Sequence, residues 1–190
     1  NNEKIIKIEM HIPGRHNVLN WLAAFAVCFD MGVSADGIKD AVEKFTGAGR
    51  RFEFLGEYDG FMLADDYAHH PTEIKATLSA AKELDYNNVI AVFQPFTFSR
   101  TALLKDDFIK ALSIADKVIL TPIMGSREKN TYGIKSEDLA AGLHDVCVVD
   151  GFENIADKIE EIARPGDLVI TMGGGDIYKA AHIIQGRHTE

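Results

Sequence analysis

Only two cysteines, Cys28 and Cys147, occur in 190 residues, and each lies inside an apolar run. That suits small buried hydrophobes in a reducing compartment far better than a disulfide framework or a zinc site. Long apolar runs are missing as well. Nowhere do about 18 apolar residues follow one another, the length a membrane-spanning helix needs. The opening NNEKIIKIEM holds no uninterrupted apolar core of signal-peptide length. Neither secretion nor a membrane span is expected, and a cytoplasmic location is the default. Positive charge is scarce: 20 Lys and Arg against 29 Asp and Glu give a formal net charge of −9. Such a chain is no general binder of nucleic acid or anionic membrane, so a phosphate-bearing ligand must be met by a local basic group. Internal repeats and low-complexity segments are also absent.

What is present divides into two pieces. The 46% hydrophobic content suffices for a substantial core, enough for one full domain and a fragment of a second. In the first piece Ile6, Ile8, Met10 and Ile12 alternate with polar residues, the period of a half-buried strand, until Pro13-Gly14 breaks it. From Asn17 to Met31 the residues are apolar almost all round, which predicts a well-buried helix stopped by Gly32. Ser34 is placed to cap another helix, whose Ile38, Ala41, Val42 and Phe45 recur at helical spacing. One strand and two helices make a poor independent core. Residues 1–47 therefore read as the tail of an incomplete domain, with Gly47 and Gly49 as a hinge to a second domain over 48–190.

That second piece opens with two apolar-rich runs flanking Asp59-Gly60, a strong hairpin signal. Helical stretches over roughly 72–84, 101–114, 136–143, 153–163 and 176–185 then alternate with the short branched runs VIAVF, KVILT, VCVVD and LVITM. Such runs belong to strands covered on both faces. The expected class is α/β, Rossmann-like, with a mostly parallel sheet flanked by helices. Ligands of that architecture bind beyond the carboxyl ends of the strands.

The chemistry-bearing loops fall there, and each has two readings. GGGDIYKAA offers amides at a helix start for an anion, or only a tight turn in which Asp176 caps the last helix. Its spacing is not the dinucleotide fingerprint, since Tyr178 stands where a third glycine is needed. In QPFTFSRT, Arg100 can clamp a carboxylate or phosphate, or be a solvated arginine with Ser99 as helix cap. SREKN, with Arg127, Glu128 and Lys129, reads as a solvated, mobile flap. In DDYAHHPTEI, adjacent residues of an extended segment point oppositely, so His69 and His70 are not expected to share a metal. Pro71 suits the first helical position and fixes a corner presenting Asp66, Tyr67 and His69; the alternative is that His70 caps and His69 packs. In GRHNVLN, His16, Asn17 and Asn20 open a helix, where Asn20 could donate and accept on one purine edge and Asn17 could merely cap.

Taken in order, GRHNVLNWLAA, RRFE, DDYAHHPTEI, FQPFTFSRT, SREKNTYG and GDLVITMGGGDI strongly resemble the Mur ligases of peptidoglycan synthesis. The likeness covers nearly the whole chain, as the end of their central ATP-binding domain and their complete C-terminal domain. It implies an ATP-dependent amide ligation of L-alanine to UDP-N-acetylmuramate, through an acyl phosphate and with Mg2+ offsetting phosphate charge. It further implies adenine near His16, Asn17 and Asn20, and ribose near Arg51 and Asp66. Tyr67 and His69 would face the acceptor and the transferring phosphate, and Arg100 the alanine carboxylate. Asp66→Ala is expected to raise the Michaelis constant for ATP with little loss of stability, a strand-end carboxylate being outside the core.

Departures accompany the resemblance. Phe96-Thr97 replaces a histidine followed by a basic residue, and GGGDI stands for the commoner GAGDI. No GxxxxGK[ST] phosphate loop and no UDP-binding N-terminal domain occur, so ATP and Mg2+ would be held mainly elsewhere and the chain alone is expected to be inactive. A murein-peptide ligase of the same family, a free-standing Rossmann-like nucleotide-binding module and a histidine-based metallohydrolase remain open at this level.

Overall fold

The computed structural model describes residues 6–45 and 47–188, with the backbone alone at residue 16. The chain divides between Ala48 and Gly49 into two compact units. Residue 46, beside the expected glycine hinge, lies outside the described residues.

In the first unit, α1 spans Arg15–Asp30 and α2 spans Ala35–Lys44. Gly14, at φ 100°, turns the chain into α1, and the Ser34 hydroxyl accepts from the Gly37 amide at 3.2 Å to start α2. Residues 6–12 do not form the predicted strand. A strand needs a ladder partner, and among the described residues of this unit there is none. Nor is α1 well buried: Leu19, Leu22 and Val27 are each about 60% exposed. An all-round apolar helix needs neighbours on every side, and within the unit α2 covers one stripe, through Ile38, Val42 and the Trp21–Phe45 edge contact at 5.2 Å.

The second unit holds a six-stranded sheet in the order β1-β2-β6-β3-β4-β5. Its strands are β1 Glu53–Tyr58, β2 Phe61–Asp66, β3 Val89–Phe93, β4 Lys117–Leu120, β5 Val146–Val148 and β6 Leu168–Met172. Only β1–β2 is antiparallel. Asp59 and Gly60 both take positive φ, 48° and 84°, the type I′ turn that matches strand twist. The helices are α3 Pro71–Lys82, α4 Phe98–Leu103, α5 Lys105–Leu112, α6 Ser136–Ala140, α7 Phe152–Ile162 and α8 Tyr178–Arg187. The helix predicted over 101–114 is thus two, starting earlier and broken at Leu104, whose side chain turns in against the core.

Side-chain alternation along the strands builds a core on each face. Leu168, Ile170 and Met172 join Phe93 against Ile74 and Leu78 of α3 and Phe108 and Leu112 of α5. Val169, Ile90 and Val92 face Ile155 and Ile159 of α7 and Ala180 and Ile184 of α8. Both cysteines are free and half-buried, less enclosed than expected. Among the described residues no helix is long and apolar enough to cross a membrane.

At the amino-terminal edge of this sheet Asp116 accepts from the Val89 amide at 2.7 Å and from Lys82 Nζ at 2.8 Å. Burial pushes its carboxyl up, but the bonds from Lys82 and Val89, with the Lys82 charge, outweigh that and hold it below the ordinary 3.8. Its contribution to stability is therefore full above the unfolded value and lost as pH falls through the lowered folded one. In urea titrations from neutral pH to below 3.8, Asp116→Asn should flatten the acid-side loss; an unchanged acid limb would mean the pair contributes nothing.

Candidate functional site

The carboxyl ends of β2, β6, β3 and β4 form one rim. At its β2 corner the two aspartates diverge, as successive strand residues must. Asp65 faces β6 and accepts from the Thr171 hydroxyl at 2.6 Å. Asp66 turns the other way and is buried, its Oδ2 accepting from the Phe52 amide at 2.9 Å and Oδ1 from the Ala68 amide at 2.7 Å. Burial pushes the Asp66 carboxyl up, opposed in part by those two amides, the Thr77 hydroxyl and the Arg51 charge.

Pro71 begins α3 as predicted, and His70 is extended before it, at φ −116° and ψ 145°. The bland reading holds for His70: its Nδ1 accepts from the Thr72 amide at 3.3 Å. Glu73 Oε2 completes a capping box by accepting from the amides of His69 and His70. His69 is held differently. Its Nδ1 lies 3.0 Å from the Tyr67 carbonyl, an acceptor, so Nδ1 carries the proton and Nε2 is the basic ring atom. The ring meets Tyr67 edge-on at 5.3 Å and packs on Gly174. Tyr67 is exposed, and Arg51, also exposed, holds its guanidinium 5.8 Å from the Tyr67 ring.

The glycine turn after β6 fits the tight-turn reading. A Cβ on Gly175 would strike Met124 Sδ and Gln94 Oε1, and that Gln94 oxygen accepts from the Asp176 amide at 2.8 Å. Asp176 does not cap α8; its carboxylate pairs with Lys179 at 3.0 Å, and the helix begins without a side-chain cap.

Beyond β3, Arg100 sits in α4 with Nη1 donating to the Phe96 carbonyl at 3.3 Å. Ser99 is not the cap, which is Thr97. The loop predicted to be a free flap is pinned instead. Glu128 accepts from the Ser99 amide at 2.8 Å, the Ser99 hydroxyl at 2.7 Å and the Thr97 hydroxyl at 2.9 Å. The Ser99 amide and hydroxyl hold its carboxyl below the usual range. Arg127 and Lys129 remain exposed.

Arg51, Asp66, Tyr67 and His69 are thus brought to one corner, with Arg100 two strands along the same rim. The other expected residues belong to the first unit. His16 lies in the first turn of α1 with its side chain outside the described residues, Asn17 donates to the Pro13 carbonyl at 2.7 Å, and Asn20 is exposed. Sequence reasoning missed Arg50, whose Nε donates to Asp65 at 2.7 Å, Nη2 to the Gly173 carbonyl at 2.9 Å and Nη1 to the Gly175 carbonyl at 3.2 Å. The pair Arg50-Arg51 was visible; which arginine turns inward was not.

A family profile described as "Mur ligase, glutamate ligase domain" matches residues 50–175. The chain belongs to the Mur ligase family. Its profile runs from Arg50 to Gly175, the two residues joined by the Nη1 bond across the rim. Among curated relatives, a UDP-N-acetylmuramate--L-alanine ligase of Caldicellulosiruptor saccharolyticus is 49% identical over 181 residues, covering 93% of this chain. The chain spans 40% of that relative's length. A crystal structure of UDP-N-acetylmuramate-alanine ligase from Thermotoga maritima superposes with a TM-score of 0.81 at 27% identity, over 99% of this chain and 41% of that one. A murein peptide ligase from Psychrobacter arcticus, at TM-score 0.68 and 24% identity over 98% of this chain and 40% of its own, shares the fold. The Mur ligase fold accounts for the six-stranded sheet, and the rim at its strand ends carries every expected site residue of the second unit.

Proposed function

We propose that this Mur ligase chain is the C-terminal part of an ATP-dependent ligase that joins L-alanine to UDP-N-acetylmuramate in the cytoplasm. The observation that carries the reading is the 49% identity, sustained over 181 residues, to a protein of that name. Residues 1–47 would then be the end of a central ATP-binding domain and residues 48–190 the C-terminal domain. In the reaction, the sugar-acid carboxylate takes the terminal phosphoryl group of ATP, releasing ADP. The alanine amine then attacks the acyl carbon, phosphate leaves with the electron pair of the C–O bond, and the amine loses a proton.

This chain's residues would bind and orient rather than bond covalently. His16, Asn17 and Asn20 would meet adenine, and Arg51 and Asp66 the ribose. Tyr67 and His69 would face the acceptor and the transferring phosphate, and Arg100 would grip the alanine carboxylate. Among the described residues no group of three or more His, Cys, Asp or Glu could hold a metal; Mg2+ and the ATP phosphates would be held mainly by the rest of the central domain.

The test is ADP release by the longer protein that carries this chain. Release should require both UDP-N-acetylmuramate and L-alanine, and the 190-residue chain alone should give none. Release supported by an alanyl peptide but not by alanine would replace the reading with a peptide ligase. Measurable ATP or NAD binding by the chain alone would favour a free-standing nucleotide-binding module.

A further inference from the structure

We propose that Arg50 is a positioning residue: it locks the β6 glycine turn and the Tyr67–His69 corner into one rigid acceptor-facing surface. The inference rests on the ligase reading for its kinetic consequence, but not for its structural content.

A single guanidinium makes three hydrogen bonds there, to Asp65 Oδ2, the Gly173 carbonyl and the Gly175 carbonyl. Two aromatic rings also lie beside it, with the Tyr67 ring centroid 5.0 Å and the Tyr178 ring centroid 4.6 Å from Cζ. Asp65 is in turn steadied by the Thr171 hydroxyl from the neighbouring strand. One side chain therefore joins the end of β2, the turn after β6 and the start of α8. The backbone of the same residue is equally committed. Its amide donates to Glu53 at 2.7 Å, and its carbonyl accepts from the Tyr67 amide at 2.7 Å.

Arg50 holds this position at φ 57°, a left-handed conformation that side-chain-bearing residues adopt rarely and at a cost. The surrounding bonds over-determine that conformation. Tyr67 and His69 are the beneficiaries: the Tyr67 amide hangs on the Arg50 carbonyl, its ring lies on the Arg50 guanidinium, and His69 is set by the Tyr67 carbonyl and by Gly174, between the two glycines whose carbonyls Arg50 holds. No part of this arrangement needs Arg50 to touch a substrate.

Lysine keeps the charge but cannot supply three bonds in one plane. In the ligase, Arg50→Lys should lower kcat on the order of 10- to 100-fold through misplacement of the corner, with the Michaelis constant for ATP unchanged. In the 190-residue chain the same variant should shift the NMR resonances of Tyr67 and His69, along with those of the direct Arg50 partners Asp65, Gly173, Gly175 and Tyr178, while residues away from this corner stay in place. A wild-type kcat, or Tyr67 and His69 resonances that do not move, overturns the proposal. So does a general brace's pattern, in which the whole spectrum changes and every Michaelis constant rises together. Should Arg50→Lys fail to fold, Thr171→Val decides: it removes only the hydroxyl steadying Asp65, and must lower kcat in the same sense or the proposal falls. If the wild-type protein shows no alanine-dependent ADP release, the ligase reading fails by itself, and the resonances of Tyr67 and His69 still decide the role of Arg50.

Discussion

Asp66→Ala will destabilise the 49–190 unit by roughly 2 to 5 kcal/mol, because it strips the partner from two amides at a buried corner, each worth about 1 to 3 kcal/mol when left unsatisfied. The sequence places Asp66 at a strand end and leads to the opposite expectation. The geometry overturns it: Asp66 is buried, and its two oxygens accept the amides of Phe52 and Ala68, tying the entry of β1 to the exit of β2. Asn is no remedy, since its amide group would point N–H at N–H on one side. A urea midpoint equal to wild type would refute the account. The pH dependence has its own sign. With the folded pKa raised above 3.8, the titration-linked part of its contribution is full below the unfolded value and lost as pH rises through the folded one, opposite to Asp116, while the bonds to the two amides remain. If Asp66 also holds the ribose, the folded fraction of an Asp66 variant should show a raised Michaelis constant for ATP; an unchanged one leaves Asp66 a purely structural group.

Replacing Arg100 should damage catalysis as strongly while leaving the fold intact. Among the described residues, the one hydrogen bond the half-buried Arg100 side chain makes is the long contact with the Phe96 carbonyl, so little structure depends on it. A guanidinium gripping a carboxylate makes two parallel charge-assisted bonds that an ammonium cannot reproduce. Arg100→Lys should raise the Michaelis constant for alanine, with those for ATP and the nucleotide sugar much less affected. Arg100→Ala should be worse, by about 2 to 5 kcal/mol if the pair is well desolvated. Near-wild-type kinetics in both variants would return Arg100 to the status of a surface arginine. Equal damage to all three substrates would point to a folding or closure role, and the carboxylate assignment would be dropped.

The sheet was legible wherever local chemistry settles structure. Asp59-Gly60 announces a turn because its backbone needs two positive φ values, and VIAVF and LVITM announce strands because both faces of each are covered. Pro71 marks a helix start for equally local reasons. Legibility ended where a partner decides. The alternation over residues 6–12 is a strand pattern with no described neighbour in its unit, and the apolar face of α1 says nothing about what is there to cover it. At the site, residue types pointed to the right corner, but hydrogen-bond partners divided the labour. His70 caps, Asp66 secures backbone, and Glu128 pins a loop that its charge alone marks as solvated. Arg50 escaped notice because its importance lies in carbonyls more than 120 residues away in sequence, at Gly173 and Gly175.

The place of β6 sets the order in which this domain can be made. It is the last of the six strands in sequence, yet it lies between β2 and β3, pairing Met62 with Leu168 on one side and Val89 with Leu168 on the other. During synthesis the hairpin and the β3–β4–β5 group must wait as two separate half-sheets. Each exposes an unpaired apolar edge until residues 168–172 have left the ribosome. Closure of loops this long delays the reward of pairing, so the nascent domain is most vulnerable to wrong partners just before β6 emerges. A stop codon just ahead of residue 168 would erase the keystone of the sheet along with α8.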